Sequence, residues 1–213
     1  MARRSYGQYC GLVRAVDMVG ERWALLIIRD LFVGPRRFTD LRNGLPRIPT
    51  NILSARLREL EAAGVVHRRV LPRPSGSMVY ELTAYGRELE GVVLALGRWG
   101  AKALGEPKPG EIITCDSITI AMRSLFRAEE AADVAVAYEL RLGDVVLGVR
   151  VDKGGLDVTE GGLEGADLVI ETGPAIRALL AGEIAPGAAI ADGTVHVTGD
   201  PALLTTFTTL FRI

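Results

Sequence analysis

Cysteine is scarce: the 213-residue chain has two, Cys10 and Cys115, with no C-x-x-C pair. That excludes a disulfide framework and zinc-finger spacing. The two histidines, His67 and His196, are equally isolated, so neither a metal nor a cofactor is expected. Hydrophobic residues make up 48% of the chain, yet no run approaches the roughly 20 uninterrupted apolar residues of a membrane span. No membrane partner is expected. The opening MARRSYGQYCG is basic but lacks an apolar core segment and a small-residue cleavage site. It does not read as a secretory signal, and a cytoplasmic location is expected. Phosphate-binding glycine loops, nucleophile elbows and paired catalytic carboxylates are missing too. The abundant glycine and aspartate sit in turns such as Glu160-Gly161-Gly162, so an enzyme is not expected.

What is present is a division of charge. Residues 1–105 carry 17 basic and 9 acidic side chains, a net of +8, and residues 106–213 carry 8 and 17, a net of −9. A basic half joined to an acidic half suggests that the first meets a polyanion, because surface Lys and Arg release condensed counterions from nucleic acid. The competing reading is two solvated domains of unequal composition. The length fits two domains of about 100 residues each: 1–105, a linker at 106–110 where EPKPG interrupts the pattern, and 111–213.

In the basic half, WALLIIRDLFV (23–33) predicts a buried helix stopped at Gly34-Pro35, where glycine would take a left-handed cap and proline cannot continue the helix. A short helix is expected at 38–45 and another at 51–63, with Thr50 as its N-cap and Gly64 as its stop. Two short helices around a tight turn, entered through Arg36-Arg37, make a helix-turn-helix. At about 100° per residue, Leu53, Leu57 and Leu60 share one face of the second helix. Asn51, Ser54, Ala55 and Arg58 fall on the other. Asn suits adenine, Arg guanine, Ser bases or phosphate, and a small Ala permits close approach to the groove or to a thymine methyl. The alternative is an ordinary solvated face; the helix-turn-helix context favours a reading face. Strands at 65–71 and 78–83 flank the tip PRPSGS, a hairpin wing whose Arg68, Arg69 and Arg73 are basic. Arg36, Arg37, Arg47, Thr50 and Ser75 complete the expected contacts to double-stranded DNA. Thr83 caps a helix expected at 84–104, whose Leu89, Val92, Val93, Leu96 and Trp99 form a stripe longer than one small domain uses.

The composite G-x-x-W, L-x-x-G-x-x-R-F-x-x-L, L-x-x-R-L-x-x-L, Y-x-L-T-x-x-G and terminal W-G, running from Cys10 to about Ala101, closely resembles the HxlR-type winged helix-turn-helix transcriptional regulators. The resemblance implies a homodimer that places the second helix in the major groove of a pseudo-palindromic operator. It also marks Cys10 as a candidate redox sensor, with Arg14 one helical turn on and Arg3 and Arg4 near in sequence to favour the thiolate. The competing reading is a buried cysteine at a helix start.

The acidic half predicts a helix at 117–127, then alternating Val134, Val136, Tyr138, Leu140 and Val145, Leu147, Val149, Val151 around Gly143-Asp144, a hairpin. Strands at 155–159, 166–171 and 194–197 and helices at 174–181 and 201–211 complete an α+β domain with an antiparallel sheet covered by helices. Residues 143–211, with D-L-x-I, L-L-x-G and G-x-V-x-V-x-G-D, are similar to the C-terminal portion of the sterol carrier protein type-2 family. That resemblance implies a sheet under helices around an apolar tunnel, hence an apolar small-molecule effector. Phe126, Tyr138, Phe207 and Phe211 are the expected walls on size and face. The competing readings are a solid core that stabilises the dimer and, from this half alone, a lipid carrier.

Overall fold

The computed structural model describes residues 6–213, so Arg3 and Arg4 lie outside the described residues. The chain divides into two compact units between Val93 and Leu94. The division falls inside a helix and ahead of the expected linker, although 106–110 contains neither helix nor strand.

In the first unit, α1 (Gly11–Val19), α2 (Ala24–Val33), α3 (Phe38–Gly44) and α4 (Thr50–Ala62) precede a hairpin of β1 (Val66–Val70) and β2 (Met78–Leu82). The core is aliphatic. Ile27, Ile28 and Leu31 of α2 meet Leu41 and Leu45, and Leu53, Leu57 and Leu60 of α4 are each at most 1% exposed. The leucine face read from the sequence is therefore the buried one. The stop of α2 differs from expectation: Gly34 is extended, at φ 162°, so Pro35, which cannot continue a helix, ends it. Thr50 is the first helical residue, and Pro49 holds the cap position in an extended conformation. Asp30, set in an apolar helix, is buried and held by Arg29, whose Nη2 lies 2.6 Å from its Oδ1.

The helix expected at 84–104 is broken into α5 (Ala84–Arg87) and α6 (Glu90–Ala101). At the break, the amides of Glu88 and Leu89 bond three residues back, to Tyr85 and Gly86, the tighter winding of a 3₁₀ turn. Within the second unit, the C-terminal part of α6 packs on α7 (Cys115–Leu125). A Cβ at Gly97 would lie 2.8 Å from Ser124 Oγ, and Arg98 Nε donates to the Ser124 carbonyl at 2.8 Å. The start of α7 is fixed by a capping box between Thr114 and Ser117.

The sheet of the second unit comprises β3 (Ala135–Leu142), β4 (Val145–Asp152), β5 (Gly155–Glu160), β6 (Leu168–Thr172) and β7 (His196–Gly199), in the order β5-β4-β3-β6-β7. The expected antiparallel sheet is corrected at one place: β3 and β6 run parallel. After β5 the chain crosses to the far side of β3 and re-enters in the direction of β3. Glu139 stabilises that crossover: its carboxylate accepts from the Leu163 amide at 2.7 Å and from Arg141 Nε at 2.6 Å. These two partners, the amide first, hold Glu139 below the usual carboxylate range. The other face of the sheet carries Val136, Tyr138, Leu140, Leu147, Val149, Leu168 and Ile170 into a core closed by α8 (Ile176–Leu180), α9 (Pro186–Ala191) and α10 (Ala202–Leu210).

The expected aromatic cavity is corrected as well. Tyr138, Phe207 and Phe211 are 0% exposed. Tyr138 meets Phe207 edge-on at 5.1 Å, and the Phe207 and Phe211 rings lie 4.8 Å apart. A void large enough for water would leave accessible surface on its walls, so these three rings fill a core and line no chamber. Burial pushes the Tyr138 phenol well above its usual pKa, and its hydroxyl donates to the Leu203 carbonyl at 3.2 Å. Phe207→Ala should therefore cost about 3–5 kcal/mol, the penalty for emptying a packed aromatic site. A urea titration with a loss below about 1 kcal/mol would show that the ring lines space instead of filling it.

Candidate nucleic-acid interface

The turn between α3 and α4 is short because Leu45 and Ile48 both insert into the core. The Ile48 amide bonds back to the Leu45 carbonyl at 2.9 Å, bringing the chain to Pro49 and α4. With Leu53, Leu57 and Leu60 buried, Asn51 and Arg58 project outward, and Ser54 and Ala55 are half-buried beside them. Two of these side chains are engaged along the helix itself. Ser54 Oγ donates to the Thr50 carbonyl at 2.9 Å, and Arg58 Nε donates to the Ser54 carbonyl at 3.1 Å. Arg58 thus lies along its helix. Arg56, which the sequence reading left out of the site, has a structural role: it is ion-paired with Glu59 and reaches Glu21 at 3.6 Å.

The wing is joined to the helix-turn-helix on two levels. The Arg36 amide donates to the Tyr80 carbonyl at 3.0 Å and the Tyr80 amide to the Arg36 carbonyl at 2.8 Å, so residue 36 adds a third, single-residue strand to the hairpin. At the tip, Arg37 Nη2 donates to Ser75 Oγ at 3.2 Å. Arg37, Ser75 and the exposed Arg73 are therefore brought to one place; Arg47 and Thr50 are exposed on the turn and at the start of α4. The backbone of Arg36 thus joins the wing, and its half-buried side chain donates to the Pro35 carbonyl at 3.3 Å.

At the base of the wing, Thr83 Oγ1 donates to the Gly64 carbonyl at 2.6 Å and accepts from the Gly86 amide at 2.9 Å. A Cβ at Gly86 would stand 2.1 Å from the Val65 carbonyl oxygen. Only glycine permits that approach. Gly64, at φ +72°, closes α4 and turns the chain into β1.

Charge on the wing differs from a count of its arginines. Arg68 Nε donates to Glu61 at 2.8 Å, and Arg69 Nη2 to Glu81 at 2.8 Å, with His67 Nε2 2.8 Å from the same carboxyl group. Arg73, in contrast, has no hydrogen bond or ion pair among the described residues. Net positive charge on the wing therefore belongs to its tip.

Cys10 is exposed and stands at the N-cap of α1, so the reading as a buried cysteine is corrected. Its thiol is held below the usual value by the backbone amides of Val13 and Leu12, a helix-terminus effect in place of the arginine effect expected from the sequence. Cys115 is the opposite case, half-buried and pushed up by burial and then by Glu160. Among the described residues, no group of three or more His, Cys, Asp or Glu side chains is placed to hold a metal ion. No helix is long and apolar enough to cross a membrane.

An uncharacterised HTH-type transcriptional regulator of Synechocystis is 38% identical over 95 residues, covering 45% of this chain and 70% of that protein. The regulator YdeP of Bacillus subtilis, also uncharacterised, is 37% identical over 44% of this chain and 73% of its own. The profile of the HxlR-like helix-turn-helix family matches residues 18–108. The chain belongs to that family. Among solved structures, the redox regulator HypR in its oxidised form is 34% identical, with 46% of this chain and 100% of that one covered and a TM-score of 0.42. As an HxlR-type transcriptional regulator with a winged helix-turn-helix, the protein carries the family match on residues 18–108, and the sheet of its second unit lies beyond that match.

Glu81 offers a pH test of the wing. Its partner Arg69, before any other group, holds the carboxyl below the usual range. A depressed carboxyl pKa contributes stability that is present above the unfolded value of about 4.3 and is lost as pH falls through the lower folded value. Protection factors of the β1 and β2 amides, corrected for the intrinsic pH dependence of exchange, should therefore fall as the Glu81 carboxyl is titrated by NMR to low pH. In Glu81→Gln, protection should be low throughout and without that step; an unchanged step would assign it to another group.

Proposed function

We propose that the protein is a homodimeric regulator that lays α4 in the major groove of a pseudo-palindromic operator and sets the wing tip on the flanking backbone. The observation that carries this reading is the outward row Asn51, Ser54, Ala55 and Arg58, opposite the buried leucines. The bond from Arg37 to Ser75 supports it by holding the tip against the entry to α3. In this reading Asn51, Ser54 and Arg58 face bases, and Arg58 swings off its helical carbonyl to do so. Arg36, Arg37, Arg47, Thr50, Arg73 and Ser75 face phosphates. The dimer is supported by an apolar row at i, i+4 and i+7 of α6, with Val92 54%, Leu96 46% and Trp99 75% exposed. Leu12 and Val16 of α1 add a second exposed pair. A two-fold dimer is the common way to bury such faces, and it sets half-sites one helical turn apart, roughly 34 Å. A cytoplasmic location follows from this role, with 106–110 as the linker between 1–105 and 111–213.

For the acidic domain we keep the sterol carrier protein type-2-like reading of the fold, supported by its sheet with helices on one face, and assign it a dimer-stabilising role. A chamber walled by Tyr138, Phe207 and Phe211 has no part in this role, because those three rings are core.

Operator selection on the full chain followed by titration provides the test. Arg58→Ala should lose about 1–3 kcal/mol at its own base-pair position and relax selectivity there, whereas Arg73→Ala should weaken all duplexes alike. Unchanged selectivity in Arg58→Ala, or a monomer by light scattering at micromolar concentration, would overturn the arrangement.

A second reading rests on the exposed, acidified Cys10: oxidation there alters operator affinity. Diamide should change binding by the native protein and leave Cys10→Ser unaffected; full binding after diamide would exclude sensing at this thiol.

A further inference from the structure

The second unit contains an open cleft of about 440 Å³ beside the core of Tyr138, Phe207 and Phe211, and Phe126, the fourth aromatic that the sequence singled out, lines it. Three guanidinium groups border it: Arg98 from α6, Arg127 after α7, and Arg212 after α10. Glu129 is the acidic residue on the same border, and Leu125 with the half-buried Phe126 supplies an apolar wall.

The charges are incompletely matched. Arg127 is paired with Glu130 at 2.7 Å. Arg98 spends its Nε on the Ser124 carbonyl, and among the described residues its two Nη groups have no partner. The Arg212 guanidinium has none either. This occurs in a segment where acids outnumber bases 17 to 8 from residue 106 onward, and where Arg141 and Arg177 are each matched by a glutamate. Cationic groups that share a cleft repel one another unless an anion joins them, and a guanidinium fork fits a carboxylate with two parallel bonds. The position of each base is also built in by the backbone. The Arg212 amide donates to the Leu125 carbonyl at 3.2 Å and the Arg127 amide to the Leu210 carbonyl at 2.8 Å, so the two segments are stitched side by side. Phe126 between them stacks on Phe211 at 5.6 Å, which fixes the wall against the core.

We propose that this cleft binds a small amphipathic carboxylate, its head between Arg98 and Arg212 and its apolar tail along Leu125 and Phe126. The volume lies within the usual 300–1,000 Å³ of small-molecule sites, and it suits a medium-chain or aromatic acid. This site does not depend on the reading of the basic half as a DNA reader.

Isothermal titration of the full-length protein with decanoate, decanol and inorganic phosphate separates the possibilities. Decanoate should bind with a single site per chain, and decanol and phosphate at least tenfold more weakly, since each lacks one of the two recognised features. The double variant Arg98→Gln/Arg212→Gln should lose at least tenfold in decanoate affinity, and Arg212→Gln alone, at an exposed position and with the bond from Arg98 to Ser124 left in place, should bind decanoate at least threefold more weakly while keeping its thermal unfolding midpoint. Arg150→Gln, on the open face of the sheet, should bind like the native chain. The proposal is overturned if decanoate does not bind at millimolar concentration or binds the double variant equally well. Phosphate binding as tightly as decanoate would overturn it too, because the apolar wall would then have no role. Operator titrations of the same variants report separately on the DNA reading.

Discussion

The approach of Gly86 to the Val65 carbonyl is the constraint on which the reading domain depends. Four elements end or begin within that junction: α4 closes at Gly64, β1 leaves, β2 returns, and α5 starts under the Thr83 cap. The Val65 carbonyl also accepts the Thr83 amide at 3.0 Å, so the strand pair and the helix start share one acceptor. Glycine inside a helix costs about 1 kcal/mol relative to alanine. Here it brings the α5 backbone against the sheet, where any side chain would push the wing away from α4. The end of α4 and the base of the wing are consequently tied at one point, with Arg37 and Ser75 bridging the far end.

Electrostatics in the two units follow different rules. The basic unit neutralises much of its own charge: Arg29, Arg56, Arg68 and Arg69 all meet carboxylates. On the wing, the cation left without a carboxylate partner among the described residues is Arg73 at the tip. The acidic unit keeps a cationic cleft inside a field of opposite sign. Net charge by halves thus describes neither surface well, because pairing decides which charges remain available to a partner.

Much of the basic unit was legible in the sequence because its signals are local. Leucines at helical spacing named the core face of α4, Gly64 marked its end, and Thr83 marked a real cap. The break between α5 and α6 was not legible, since Glu88 and Leu89 are acceptable helical residues and carry no local stop signal. In the acidic unit the alternation around Gly143-Asp144 placed β3 and β4, but α9 went unread because six residues containing proline and glycine carry no helical period. The parallel partnership of β3 and β6 is a long-range choice with no local signature. Tyr138, Phe207 and Phe211 fill the core instead of lining a chamber, since bulk alone does not distinguish a chamber wall from a core filling. The cationic cleft went unseen because Arg98, Arg127 and Arg212 converge only after folding.

The crossover between β5 and β6 has a kinetic meaning. The meander β3-β4-β5 pairs through tight turns, so its hydrogen bonds close early and over short loops. The pairing of β3 with β6 spans a longer loop, Tyr138 standing opposite Leu168, and Phe207 on α10 reaches the core later still. Contacts between residues distant in sequence form slowly because the chain entropy they restrict is lost before packing compensates for it. Tyr138 and Leu140 are therefore covered in full only once β6 and α10, both distant in sequence, have joined the meander.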